Sequence, residues 1–156
     1  MALTMSGEVQ INAPRAEVYK KLNDAETLKA SITGCEELVK TSDTGFQATV
    51  TMKIGPVKAR WKGKVTLSDL DPPNGYKITG EGEGGVAGFA KGAAAVHLSE
   101  KDGGTLLKYD VEAQIGGKLA QLGQRLIVGA AKKMADDFFG KFAQAVGAPA
   151  PTVSQS

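Results

Sequence analysis

The sequence predicts an α+β domain: a curved antiparallel sheet of about seven strands, two short helices after the first strand, and one long C-terminal helix across the sheet. Three observations carry this. From Glu36 to Ile115 apolar and polar residues alternate through about six segments, joined by connections too short for parallel pairing. The stretch GKLAQLGQRLIVGAAKKMADDFFGKF, Gly117 to Phe142, carries apolar rows stepping by four: Leu122, Leu126, Ala130, Met134, Phe138, Phe142, and Ile127, Ala131, Ala135, Phe139. Such rows slant across a helix by about 26°, as for a helix lying obliquely on a sheet. Finally, a meander with one apolar face needs a cover. At 1.5 Å per residue this helix runs for roughly 40 Å, enough to cross the sheet.

The elements follow in order. EVQINAP alternates and ends at Pro14, which suits the first turn of a helix because its missing N–H costs nothing there. In RAEVYKKLND, Val18 and Leu22 lie one turn apart. Asp24 is placed to cap a second short helix, on which Leu28 and Ile32 share a face. ELVKTS is a short strand, and SDTG is a turn. Phe46, Ala48, Val50, Met52 and Ile54 form the apolar row of the next strand, and Gly55-Pro56 turns the chain. Val57, Ala59, Trp61, Gly63, Val65 and Leu67 form the row after it, opposite Lys58, Arg60, Lys62 and Lys64. DPPNG is a strong turn signal. YKITGEGEGG and GFAKGAAAVHLS are the next pair, and Gly103-Gly104 closes a hairpin into TLLKYDVEAQI. Residues 1–146 read as one domain and 147–156, GAPAPTVSQS, as a flexible Ala/Pro-rich tail.

Glycine is the compositional oddity, 20 of 156 residues. Parity turns Tyr76, Ile78, Gly80, Gly82 and Gly84 inward on one strand, and Gly88, Ala90, Gly92, Ala94, Val96 and Leu98 on the next. One end of the sheet is therefore expected to carry large side chains and the other almost none. Met52, Ala59, Trp61, Ala113 and Ile115 should lie toward the bare end. A bare patch under a long helix means either that the helix settles deep onto the sheet or that a cavity remains. The residues alone leave both open. Tyr109 belongs to the same inward row as Ala113.

Several functions are disfavoured. A net charge of +2 is too small to imply nucleic acid. Cys35 is the lone cysteine and His97 the lone histidine, so Cys clusters and His-rich metal sites are excluded. Gly80-x-Gly82-x-x-Gly85 matches a dinucleotide fingerprint but opens no helix and sits in no strand–helix–strand unit. The basic row Lys58 to Lys64 reads as a solvated sheet face, offset by Glu81, Glu83 and Glu112. No apolar run approaches the roughly 20 residues of a spanning helix, and MALTMSGEVQ does not read as a signal peptide.

The element order, with the long helix last, resembles the helix-grip fold of the Bet v 1-like or START-like (SRPBCC) superfamily. VQINAPRAEVYKKLND, SITGCEELV, GFQATVTMKIGPVKARWKGKV and above all AQIGGKLAQLGQRLIVGAAKKMADDFFGKF resemble the carbon monoxide dehydrogenase CoxG family within it. The resemblance implies an apolar cavity under the helix and a non-enzymatic role with no cofactor. It implies binding of a lipid or quinone, service to a molybdenum hydroxylase such as carbon monoxide dehydrogenase, and a cytoplasmic place with possible peripheral contact at the inner face of the membrane. On this reading the expected ligand-binding residues are Met52, Trp61, Ala90, Gly92, Ala94, Tyr109, Ala113, Leu122 and Leu126, with none catalytic. Two alternatives stand beside it. One is a cyclase- or hydrolase-like enzyme of the same fold; the inward rows offer it only Tyr76, Tyr109 and Trp61 as polar-tipped groups. The other is an assembly or membrane-recruitment factor without a ligand.

Overall fold

Alternation in the sequence becomes seven strands in the structure, a computed structural model that describes residues 1–146. Their order in space is β1-β7-β6-β5-β4-β3-β2, every neighbouring pair antiparallel. The strands are β1 (Ala2–Ile11), β2 (Cys35–Lys40), β3 (Gly45–Ile54), β4 (Val57–Asp71), β5 (Gly75–Glu83), β6 (Phe89–Lys101) and β7 (Gly104–Gly116). Helices α1 (Arg15–Leu22) and α2 (Ala25–Ser31) follow β1, and α3 (Gln124–Ala145) closes the described chain. The tail expected from residue 147 lies outside the described residues.

Strand β1 begins at Ala2 rather than at Glu8. Leu3, Met5, Gly7, Val9 and Ile11 face inward opposite Ala113, Val111, Tyr109, Leu107 and Thr105. Gly7 interrupts that row and hides the alternation. It is required, because a Cβ there would overlap the Tyr109 phenol ring.

The two short helices form largely as their sequences dictate. Val18 and Leu22 are buried on α1. The Asp24 carboxylate accepts the Thr27 N–H at 3.1 Å and so caps α2. Leu28 is partly buried against the core, and beside it the buried residues of α2 are Thr27 and Ser31. These small residues let α2 pack against α3, and the Ser31 hydroxyl is satisfied by donating to the Thr27 carbonyl at 2.7 Å. Ile32 has left the helix for extended backbone at its C-terminus.

The long helix is also shorter than its sequence suggests. Lys118–Leu122 forms a separate 3-10 turn, and α3 starts only at Gln124. Gly117 (φ 79°) and Gly123 (φ 91°) bound that turn in backbone conformations that side chains disfavour. The 22 residues of α3 span roughly 33 Å.

The core is divided in two. One cluster gathers Ile11, Phe46, Leu67, Tyr76, Leu107 and Phe142 with α1. The other gathers Leu3, Ile54, Val57, Trp61, Ile115, Leu119 and Ile127. The expectation of one furnished and one bare sheet end is corrected here. Trp61, Leu119 and Ile127 fill the far end, and the bare band lies across the middle.

Candidate functional site

The middle band is built by register. Gly80 pairs with Gly92 and with Val65, and Gly82 pairs with Ala90 and Gly63. Ile78 lies opposite Ala94, which lies opposite Val111. All these residues face inward, yet each is only half-buried. Inward apolar side chains on a packed sheet are normally covered. These are not, because the cover does not descend to them. Along α3 only Ile127, near the start, and Phe142 and Ala143, near the end, are buried. Between them stand Val128, Ala130, Ala131 and Ala135, half-buried, and Gly129, exposed. The helix backbone lies mainly against α2, β1 and β3. Small residues on both sides, glycine and alanine below and alanine above, leave the gap.

A recess of about 330 Å³ opens on the inner face in this band, lined by Val65, Ile78, Gly80, Ala90, Gly92, Ala94 and Val111 among others. Ala90, Gly92 and Ala94, three of the residues expected from sequence, are thus brought together. Val65, Ile78 and Val111 escape the sequence reading, although their parity and their pairing with the glycine rows are the available signal. The other expected residues sit around the band rather than in the recess. Met52, Ala113 and Leu122 are half-buried and pack against the second core cluster. Trp61 is a member of that cluster, 8% exposed, with its indole where a side chain on Gly84 would stand. Leu126 is 43% exposed and touches the β3–β4 turn at Gly55. The break at Gly123 puts it outside the stripe that a continuous helix would have had. Tyr109 closes the opposite side, stacked on Phe139 at 5.5 Å. Phe139 packs edge-on against Phe138, which stacks on Phe142, so an aromatic wall bounds the band there.

The electrostatics are those of an apolar site. Burial, with a smaller contribution from Asp136, pushes the Tyr109 hydroxyl above its ordinary range. Burial does the same more strongly to Tyr76 in the first cluster. Both phenols are neutral at physiological pH. Burial raises the Cys35 thiol as well, which keeps it from acting as a thiolate. Among the described sheet residues whose side chains face the band, the polar-tipped ones are Trp61, Tyr76 and Tyr109; Lys64, Glu81 and Lys91 also border the recess, at exposed alternate positions that face outward.

Larger hollows lie on the outer face. One of about 750 Å³ and one of about 490 Å³ share Lys64, Glu81 and Lys91. They are furrows between long charged side chains over the same glycine rows. The smaller inner recess has the apolar lining that an apolar ligand requires, and we take it, with the gap above it, as the site.

A twisted antiparallel sheet with two short helices after β1, a long C-terminal helix across it and an unfilled apolar band between them defines the helix-grip fold of the Bet v 1-like superfamily. Within that class the chain belongs to the carbon monoxide dehydrogenase CoxG family, whose model matches residues 7–147. Among solved structures it is similar to a conserved protein from Geobacillus kaustophilus, at 32% identity over 93% of this chain and 95% of that one, with a TM-score of 0.87. Ara h 8.0201 shares the fold at 18% identity, covering 94% and 98% of the two chains, TM-score 0.62. So does the Zhui aromatase/cyclase from Streptomyces sp. R1128, at 11% identity and 94% of each chain, TM-score 0.68. No curated protein matches the sequence.

Proposed function

We propose that the protein is a non-catalytic carrier that holds one apolar molecule, a lipid or a quinone, between α3 and the sheet. The observation that carries this reading is the half-buried apolar band between two complete core clusters, bridged by a helix that does not descend to it. An empty apolar band has lost the contacts a packed core would supply, and an apolar ligand restores them. Met52, Trp61, Ala90, Gly92, Ala94, Tyr109, Ala113, Leu122 and Leu126 are the proposed binding residues. Ala90, Gly92 and Ala94 form the floor, Trp61 with its neighbours one end, and Tyr109 the other. Membership in the CoxG family supports a molybdenum hydroxylase, such as carbon monoxide dehydrogenase, as the partner that receives or delivers the ligand.

An enzyme in this fold needs an acid or base within hydrogen-bond reach of its substrate. Around the band the sheet offers neutral phenols and an indole, and α3 adds the exposed Asp136, whose charge acts on Tyr109; the recess itself is almost wholly apolar, which favours carriage over catalysis. The test is a titration with a fluorescent fatty-acid analogue, followed by competition with a short-chain quinone. Saturable binding with displacement supports the proposal. Failure of every apolar probe to bind defeats it.

A further inference from the structure

The sheet has two edges, β1 on one side and β2 on the other, and they are finished differently. A free strand edge offers unpaired N–H and C=O groups, which proteins blunt with short strands, bulges, prolines or charged side chains. Strand β2 follows that rule. It has six residues, a register shift between Cys35 and Glu37, and charges at Glu36, Glu37 and Lys40, with Glu36 held by Arg60 at 3.0 Å. Helix α2 also lies against it. Strand β1 has none of these devices. Its ten residues, ALTMSGEVQI, run in unbroken register with β7 and include no proline, lysine or arginine.

One pair fixes where its backbone groups point. The Met1 nitrogen donates to the Ile115 carbonyl at 2.9 Å, and the Ile115 N–H donates to the Met1 carbonyl at 2.8 Å. In an antiparallel ladder such doubly bonded pairs alternate with unbonded ones. The odd-numbered residues from Leu3 to Ile11 therefore bond to β7. The N–H and C=O groups of Ala2, Thr4, Ser6, Glu8 and Gln10 point to the free edge, and among the described residues no backbone group of a turn, loop or helix takes them. Ala2, Thr4, Ser6 and Glu8 are exposed. Helix α3 meets β1 from the inner side, where Leu3 and Ile127 share a core cluster. It does not close the middle of the strand. A hollow of about 480 Å³ opens there, bordered by Thr4, Met5, Ser6, Val128 and Lys132 among others.

This edge fits a second copy of itself. Two antiparallel β1 strands related by a two-fold axis at Ser6 set Ser6 opposite Ser6, Thr4 opposite Glu8 and Ala2 opposite Gln10. All five outward residues then pair. Any shift leaves one unpaired, and moving the axis to Glu8 would set two carboxylates face to face. On the inner side Leu3 comes opposite Val9 and Met5 opposite Gly7, which continues the apolar row. Charge permits the contact. Glu8 is the one charged side chain of the strand, and Lys108 stands opposite it on β7. Asp110 and Glu112 lie behind Ser6 and Thr4. Glu112 is then two strand spacings, roughly 10 Å, from Glu8 of the second copy, about one Debye length.

We infer that the protein pairs with a second copy of itself through β1, making one antiparallel sheet continuous across the two-fold axis. Such closed two-fold contacts are the commonest among homo-oligomers. The inference goes beyond the carrier reading and is independent of it, because the recess is lined by residues from β4 to β7.

Sedimentation velocity of the full chain over a dilution series tests it. The expected result is a monomer–dimer equilibrium. Ser6→Pro removes the N–H that each copy donates at the axis and leaves the bonds to β7 in place; it should weaken the dimer roughly thirty-fold. Ser6→Lys keeps the backbone but sets two ammonium groups face to face at an exposed position, and should weaken it roughly five-fold. Glu37→Lys, on the β2 edge, should leave it unchanged. Cross-linking reads the register. In a Cys35→Ser background Ser6→Cys should oxidise to a linked dimer, because directly opposed Cα atoms lie about 5.5 Å apart. Thr4→Cys should not, its counterpart being four residues along, roughly 14 Å away; adding Glu8→Cys should restore the link. Loss of the dimer in Ser6→Pro together with this cross-linking pattern supports the inference. A wild-type chain that stays monomeric up to about 100 μM, a Ser6→Pro variant that dimerises like wild type, or Thr4→Cys that links as readily as Ser6→Cys overturns it. Fatty-acid probe binding by the Ser6→Lys variant reports separately on the recess. A dimer without any probe binding defeats the carrier reading alone, and probe binding by a chain that stays monomeric defeats this inference alone.

Discussion

Replacing Ala94 by leucine distinguishes cavity from core by the sign of a stability change. Ala94 faces inward between Ile78 and Val111 and lines the 330 Å³ recess. Leucine adds three carbons. Full burial of three methylenes is worth about 2.4 kcal/mol, and a half-buried position should realise about 1 kcal/mol of it. If the band were filled by side chains, the same carbons would be overpacked at a cost of about 1–3 kcal/mol. Urea denaturation of the two proteins measures the difference, and the probe titration is run alongside. The expected outcome is a neutral or stabilised variant that binds the probe more weakly, because its volume has been taken. Destabilisation by more than about 1 kcal/mol with unchanged probe binding would refute the reasoning. Gly92→Ala is the contrasting substitution. A Cβ there would collide with the Glu112 carbonyl oxygen and with Ala113, so it should destabilise although the residue borders the same recess.

Other outcomes follow from single features. Gly123→Ala should cost about 1–3 kcal/mol in thermal melts through backbone strain alone, because φ is 91° and nothing lies within 4 Å of the added methyl. Gly129→Ala, equally open but helical, should stabilise by about 1 kcal/mol; if α3 must bend to admit ligand, stopped-flow probe binding will slow in the same variant. The hydrogen bonds that Asp24 accepts from Thr27 as it caps α2 hold its carboxyl below its ordinary value. A lowered folded pKa means that this stability is complete above the unfolded value and lost as pH falls through the folded one. Melts between about pH 5 and pH 2 should therefore fall less steeply for Asp24→Asn than for wild type. Burial raises Tyr76, so its contribution is complete below the unfolded pKa and lost as pH rises past it. Tyr76→Phe should flatten the alkaline limb of the melting curve.

The meander from β2 to β7 was legible from its short connections, and its facing from period two once the turns are placed; the place of β1 beside β7 was not read from the sequence. Gly80 opposite Gly92 could be read directly from EGEGG and GFAKG. What failed depended on tertiary detail. The start of β1 was masked by Gly7, whose missing side chain answers to a ring far away in the chain, that of Tyr109 on β7. No local pattern records that contact. The continuous helix from Gly117 broke at Gly123, where the apolar rows run on but the backbone does not. Trp61 was expected to border a bare end of the sheet. It turned under Gly84 and completed a second core cluster, which moved the gap from the end of the sheet to its middle. Parity gives a face, not the depth to which a side chain or a helix settles on it.

The central claim is that the band between the two clusters holds an apolar molecule. Native mass spectrometry of the full chain purified without detergent tests it most directly. The account predicts a species heavier than the polypeptide, which releases one lipid- or quinone-sized molecule on collisional activation, and whose occupancy falls in Ala94→Leu. A bare polypeptide mass that stays bare after incubation with lipid extract and with quinone would contradict it.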